Sequence, residues 1–314
     1  MIQNSIASRA RSVHADSPQG NPALRVVPIL GPSTDDPAYR LLEGDALTAV
    51  RVLEVSSGGS VPELKVENPL DDRVYLMDGQ ELVGAKQNRI LNSDVLIPAK
   101  STITIPVSCV EAQRWRYVSN SFSPGKTASH TIRSRKQARV HQSLKQSHRH
   151  DADQQAVWNE VSLSMKSSGT RSDTAALNDA YAQRNNELIE FRKSLSIPEQ
   201  TVGLAVFRDR QFLGLDLFDR HTTLVHYWKN LLDSYAIDWL FAAAGDAQPD
   251  SSEDMKMVQA HLEAAASGRW EKFDSPGEGD DYRLEDPNLT GSSLIWQDNA
   301  VIHLQLFPKT LPTP

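Results

Sequence analysis

The chain reads as an α+β protein, with a β-rich N-terminal half of antiparallel hairpins packed with a C-terminal half of helices and two β-hairpins. Three observations predict it. Short alternating apolar runs dominate up to residue 118, beyond residue 151 the hydrophobic period lengthens toward 3.6, and no strand–helix–strand unit repeats, which argues against a doubly wound sheet. At 314 residues, 39% hydrophobic and 23% charged, the chain can bury a sizeable core and falls outside the collagenous and wholly disordered classes. Its single cysteine rules out an internal disulfide and any multi-cysteine zinc or iron–sulfur site within one chain.

Residues 1–22 carry no sustained apolar pattern and are expected to be a disordered tail. Patterning begins at LRVVPIL, followed by a short helix over Asp36–Leu47 and strands over Ala49–Val55 and Val61–Val66 around a Ser-Ser-Gly-Gly-Ser turn. RVYLMDGQELVG holds two β-like runs about Asp78-Gly79, a hairpin signal because a type I′ turn needs positive φ at both central positions. Ser93–Ile97 reads as a strand, and STITIPVSCV alternates with Ile103, Ile105, Val107 and Cys109 on one face. In the second half, Asp153–Met165 reads as a helix, and Thr174 caps another that runs to Leu195 with Arg184 in the gap of its apolar stripe. Hairpins follow around Arg208–Gln211 and around Asp298-Asn299. Between them lie an amphipathic helix with Leu224, Val225, Trp228, Leu231, Leu232, Tyr235, Trp239 and Leu240 on its stripe, and a helix over Glu253–Ser267. The acidic run DSPGEGDD reads as a solvated loop. The resulting divisions are 1–22, a β-rich lobe 23–118, a basic loop 119–150, a helical lobe 151–308 and a tail 309–314.

The net charge of −7 hides an asymmetry, because Gln113 to His150 holds nine Lys and Arg and no acid, together with four of the nine histidines. With SNSFSPGKTASH at its centre, this segment is expected to be a mobile basic loop. It either lies solvated on the surface or recruits a phosphorylated ligand. Phe122 is the sole aromatic between Tyr117 and Trp158, which argues against nucleic acid. No apolar run reaches the length of a membrane span, and the N-terminus has no signal-like apolar stretch, so a cytoplasmic protein is expected.

The densest polar constellation is DGQELVGAKQNRILNSD, residues 78–94. Lys86 and Arg89 can neutralise phosphate, and the amides of Gln87 and Asn88 can orient a ribose or a base edge. Asp78, Asn92 and Arg114 complete the candidate ligand set; alternatively these residues form a hairpin rim that pairs internally. Glu81 and Glu111 are the candidate acid–base pair, since hydrolysis at an anomeric carbon commonly uses two carboxylates. Cys109 is a candidate nucleophile, although its strand phase predicts a buried, inert thiol. Asp78, Glu81 and Asp94 match no metal-ligand spacing, so no metal is assigned and no cofactor is identified. Arg184 is expected to snorkel or to pair with Asp216 or Asp179, and His303 to be an exposed strand residue.

DGQELVGAKQNRILN, followed by IPVSCVEAQRW, resembles the signature of the ADP-ribosylglycohydrolase-and-rhodanese-phosphatase-associated protein family. RSDTAALNDAYAQR and VFRDRQFLGLDLF with LLDSYAIDWL resemble its second half, so the likeness spans roughly residues 24–307. The motif carries over onto Asp78, Gly79, Glu81, Gly84, Lys86, Gln87, Asn88, Arg89, Asn92, Cys109, Glu111, Arg114 and Trp115. The basic segment after Trp115 lies outside the pattern. The resemblance implies a place in NAD or ADP-ribose metabolism.

The sequence thus supports a protein that binds an ADP-ribose-like or other phosphorylated small molecule, with hydrolysis as its chemistry if it is an enzyme. The alternative is a non-enzymatic partner protein that docks another protein or an anionic polymer through the basic loop or the long amphipathic helix.

Overall fold

The computed structural model describes residues 2–21, 23–56, 58–239, 250–297 and 299–311, with side chains from Ser5 onward. It has mixed α+β structure with mainly antiparallel sheets. The chain divides into two compact units. One comprises residues 1–37, 184–273 and 280–314, and the other residues 38–183 with 274–279. Each is thus assembled from sequence-distant pieces.

The first unit is built on a nine-stranded sheet whose centre is the hairpin Thr201–Arg208 and Gln211–Phe218, flanked by Leu24–Leu30 and by Ala300–Pro308. The central hairpin strands are buried on both faces, which is why TVGLAVF and FLGLDLF read as nearly continuous apolar runs. Helix His221–Trp239 packs on both of them. Its residues Leu224, Tyr227, Trp228, Leu231, Leu232, Tyr235 and Trp239 are buried while Val225 is exposed; the expected stripe residue Leu240 lies outside the described residues. Asp298 of the last turn does as well.

Several expectations are corrected here. Residues 2–11 form a helix rather than a disordered tail: Ile6 and Ala10, one turn apart, are fully buried in the core with Val13 and contact helix Ser251–Ser267. His303 is buried, stacked on Phe218 with ring centroids 4.4 Å apart, and its Nε2 lies 3.3 Å from Asp216 Oδ1. Arg184 reaches outward to a partly exposed Glu187 at 3.0 Å, and it interrupts the expected single helix, leaving Leu177–Gln183 and Asn185–Lys193. Part of the acidic run is strand, since Asp280–Glu285 pairs with Leu289–Trp296.

The second unit contains a closed six-stranded barrel. Around the barrel run Ser101–Cys109, Glu63–Asn68, Arg51–Glu54, Phe122–Thr127, Gln80–Gly84 and Arg89–Leu91, which returns to Ser101–Cys109. Val52, Leu64, Val66, Leu82, Leu91, Ile105, Val107 and Phe122 fill it, with the two-residue alternation that a barrel wall requires. Beside it stands a three-stranded sheet, Val95–Ile97, Arg73–Leu76 and Tyr39–Leu41, the last of these strands falling inside the expected Asp36–Leu47 helix.

Asp78-Gly79 is not a hairpin turn. The strand before it belongs to the small sheet and the strand after it to the barrel, so the dipeptide is a corner between sheets, and of the two only Gly79 has positive φ (77°). Nor is the basic segment a loop. His130–Ser147 is an 18-residue helix whose Arg133, Lys136 and Gln137 are buried, so part of its charge points inward. Among the described residues no helix is long and apolar enough to cross a membrane.

Candidate functional site

The motif DGQELVGAKQNRILN supplies two adjacent barrel strands and the connection between them. Gly84 (φ 132°) and Ala85 (φ 38°) turn the chain sharply, and a Cβ at position 84 would stand 2.5 Å from Ser119 Oγ, so glycine is required there. Asn88 Oδ1 accepts from Gly84 N at 3.1 Å and fixes the turn. The same oxygen accepts from Arg114 Nη2 at 3.0 Å.

Arg114 and Glu111 form the hub. Arg114 Nη2 lies 2.6 Å from Glu111 Oε2, and its Nη1 donates to the carbonyls of Ala85 (2.8 Å) and Arg116 (3.0 Å). Glu111 Oε2 accepts from Asn88 N at 3.2 Å, while Gln87 Nε2 donates to the Glu111 carbonyl at 2.7 Å. Burial disfavours ionised Glu111, but hydrogen bonds from Arg114, the Asn88 backbone and Thr174 outweigh it, and the pKa falls below the usual carboxylate value.

Glu81 is opposite in character. It alternates with Leu82 along the strand, so it faces away from the barrel core, yet it is fully buried. Neither carboxylate oxygen has a hydrogen-bond partner of normal geometry; the Lys126 backbone and the Asn88 side chain are its weak polar neighbours. Burial, reinforced by the charges of Glu111 and Asp179, pushes its pKa up to about 8. The chain at Gly125 approaches so closely that a Cβ there would lie 2.9 Å from Glu81 Oε2. A break in the strand register between Pro124 and Thr127 makes this approach local.

Arg89 pairs in register with Leu82 and Cys109 and shares their face, so it points into one end of the barrel rather than toward Glu81. Its Nη1 donates to the carbonyl and the side-chain oxygen of Gln87 (3.0 and 3.2 Å), and Nη2 is 4.0 Å from Glu54 Oε1. Nε and Nη2 make no hydrogen bond, nor does Glu54 Oε2. Lys86 Nζ donates to Gly58 O at 2.6 Å and sits 5.2 Å from the ring centroids of both Trp115 and Tyr117. The thiol of Cys109 is buried and its pKa is pushed up to about 11, while Gln154 brackets its backbone through N (2.7 Å) and O (2.9 Å). At neutral pH it is a protonated thiol.

Asp78 and Asn92 are not brought to this group. Lys136 Nζ donates to Asp78 Oδ1 and to Asn92 O (3.0 Å), with both charged side chains buried. Asn92 receives a hydrogen bond from Ser108 Oγ at 2.8 Å and donates to His150 O at 2.8 Å. Asp94, accepting from Tyr75 Oη (2.7 Å) and Asp78 N (2.8 Å), completes an internally paired cluster.

Residue types alone did not single out Glu54, Lys126, Gln154, Thr174, Asp179 or Lys136. Thr174 and Asp179 lie in RSDTAALNDAYAQR, which reaches Glu111 through the Glu111–Ala176 bridge and the Gln113 N–Thr174 O bond of 3.0 Å, so the family likeness of that stretch was the available signal. A cleft of about 670 Å³ lies elsewhere on this unit, lined by Arg139, Gln142, Gln146, Asp151 and Gln154 among others. It touches the motif only indirectly, through Ser108 and Gln154. Its position does not coincide with the Glu81–Glu111 pair, and the pair is the stronger chemical signal because its two carboxyl groups are held in different protonation states.

The model of the ARG and Rhodanese-Phosphatase-superfamily-associated Protein domain matches residues 12–307, and the chain belongs to that family. Neither the curated proteins nor the solved structures contain a match to it.

Proposed function

We propose, from that membership and from the geometry above, that the protein binds a nucleotide-like metabolite of the ADP-ribose class and hydrolyses a glycosidic bond in it. The observation that carries the reading is the pair of carboxyl groups around Asn88. Glu111 is clamped in its ionised form by Arg114, and Glu81 is buried with only the Lys126 backbone and the Asn88 side chain as weak polar neighbours, its pKa pushed up to about 8. Two carboxyl groups whose environments push their pKa values apart are suited to act as base and acid in one step.

In that step Glu111 accepts a proton from the attacking water as a C–O bond forms at the anomeric carbon. Glu81 delivers its proton to the departing group as the old bond breaks, so one water is consumed and no oxidant is needed. Lys86, Arg89 and Arg114 supply positive charge for the phosphates. The motif residues themselves are almost entirely buried, so access requires a local opening of the wall around them. Cys109 has no chemical role in this reading, and Asp78 and Asn92 serve as scaffold.

The test is release of the alcohol from an O-glycoside of ADP-ribose, whose departing oxygen takes the Glu81 proton, followed chromatographically for wild type and Glu81→Gln. Turnover that falls at least about a hundredfold in the variant with binding retained is the expected result. Binding without turnover in the wild type removes the hydrolytic part, and absence of both removes the reading.

A further inference from the structure

Exposed large apolar side chains are concentrated at one place on the barrel unit. Trp115 (48% exposed), Tyr117 (48%) and Val118 (58%) fall within four residues, in an irregular segment that follows Arg114 directly. Isolated exposed apolar residues need no explanation, but a contiguous aromatic patch beside a polar site does. The two rings converge on one cation, with the Lys86 ammonium 5.2 Å from each centroid, and the Arg89 guanidinium lies 5.6 Å from the Trp115 ring.

The charge around the patch is positive. Lys86, Arg89, Arg114 and the exposed Arg116 lie in or beside this segment, and among the described residues Arg89 is 4.0 Å from Glu54 and Arg114 is 2.6 Å from Glu111. Gly59 (φ 77°) brings the 58–59 backbone against Lys86 and Trp115: a Cβ there would meet Lys86 Cδ at 3.2 Å and Trp115 Cζ2 at 3.3 Å. One side of the Trp115 indole is therefore packed on the protein while about half of the residue stays open to solvent. Lys86 lies over one face of each ring, and an open indole face backed by that cation is complementary to a flat ring that carries negative charge.

We propose that Trp115 and Tyr117 form the platform on which the nucleobase of an anionic nucleotide stacks, with Lys86 and Arg116 neutralising its phosphate. This inference rests on the reading of the Glu81–Glu111 site as a nucleotide site and adds to it which end of the ligand is recognised, and by what. The platform reads an aromatic ring; a sugar phosphate without a base has nothing to place there.

The experiment is calorimetric titration of the full chain with AMP and with ribose 5-phosphate, for wild type, Trp115→Ala and Trp115→Phe, with circular dichroism to confirm folding. Wild type is expected to bind AMP roughly tenfold more tightly than ribose 5-phosphate, the magnitude of one base–aromatic stack. Trp115→Ala erases that preference and Trp115→Phe largely restores it, while the affinity for ribose 5-phosphate stays the same in all three. Equal affinity for the two probes in the wild type, or a preference that survives Trp115→Ala, overturns the platform and leaves the Glu81-dependent hydrolysis test untouched. Binding of neither probe overturns the platform too, and if the ADP-ribose glycoside also fails to bind, the nucleotide reading goes with it.

Discussion

The two ends of the 78–94 motif are built from the same kinds of residues and have different physical fates. At the Asp78 end, Lys136 enters from helix His130–Ser147 and reaches both Asp78 and Asn92, Ser108 and His150 take up the Asn92 amide, and Asp94 is held by Tyr75. At the Glu81 end, Arg114 and Glu111 saturate each other, but both oxygens of Glu81 and two nitrogens of Arg89 are left without hydrogen bonds inside the protein. Nearly all buried polar groups in folded proteins are paired, so an incomplete end next to a complete one supports the proposal that the ligand binds there. Polar density in a sequence marks both ends alike; only burial and partner geometry separate scaffold from site.

Removing a charge from the complete end gives the largest effect. Lys136→Met takes the ammonium away from buried Asp78, and urea unfolding at pH 7 is expected to show a loss on the order of 3–5 kcal/mol. A loss below about 1 kcal/mol would mean that the Asp78 cluster is not scaffold, and the contrast between the two ends would fail.

Glu81→Gln is expected to act in the opposite direction, with a sign fixed by linkage. The folded-state pKa of about 8 lies above the unfolded value, so between the two the folded protein holds a proton that the unfolded chain releases. Wild-type stability contributed by this group therefore falls as pH rises from about 4.3 toward 8 and levels off beyond, at about 1.4 kcal/mol per pH unit. The glutamine variant lacks that loss. It is expected to match the wild type near pH 4 and to exceed it by a margin on the order of 4 kcal/mol near pH 8, in unfolding curves measured across that range. Parallel pH profiles for the two proteins would show that Glu81 is ionised in the folded state and would deprive the site of its acid.

Much of the architecture was legible where a single periodicity dominates. The Thr201–Phe218 hairpin, the helix beginning at His221 and the alternation of Ile103, Ile105, Val107 and Cys109 lie where their apolar spacing places them. The misreadings share one cause, a local signal overridden by tertiary context. Asp78-Gly79 has hairpin chemistry but joins strands of different sheets, and the Ser- and Arg-rich stretch after residue 129 looks solvated because nothing local reveals that Lys136 has a buried aspartate to meet. The helix near the N-terminus is short and presents few apolar groups, so its burial of Ile6 and Ala10 becomes visible only against helix Ser251–Ser267. At the candidate site, residue types and the family likeness together pointed to Glu81, Glu111, Asn88 and Arg114. They did not show that Arg89 stands on the other face of the barrel wall, which depends on the strand register.

The most direct test is calorimetric titration of ADP-ribose into wild type, Arg89→Lys and Lys136→Met at pH 7. Arg89→Lys removes the guanidinium nitrogens that make no hydrogen bond inside the protein and is expected to weaken binding about tenfold or more with little change in stability, a difference of at least 1.4 kcal/mol. Lys136→Met, although less stable, is expected to bind with the wild-type Kd wherever it is folded. Equal Kd values for wild type and Arg89→Lys, or a Kd that weakens as much in Lys136→Met as in Arg89→Lys, would contradict the assignment of ligand binding to the incomplete end of the motif.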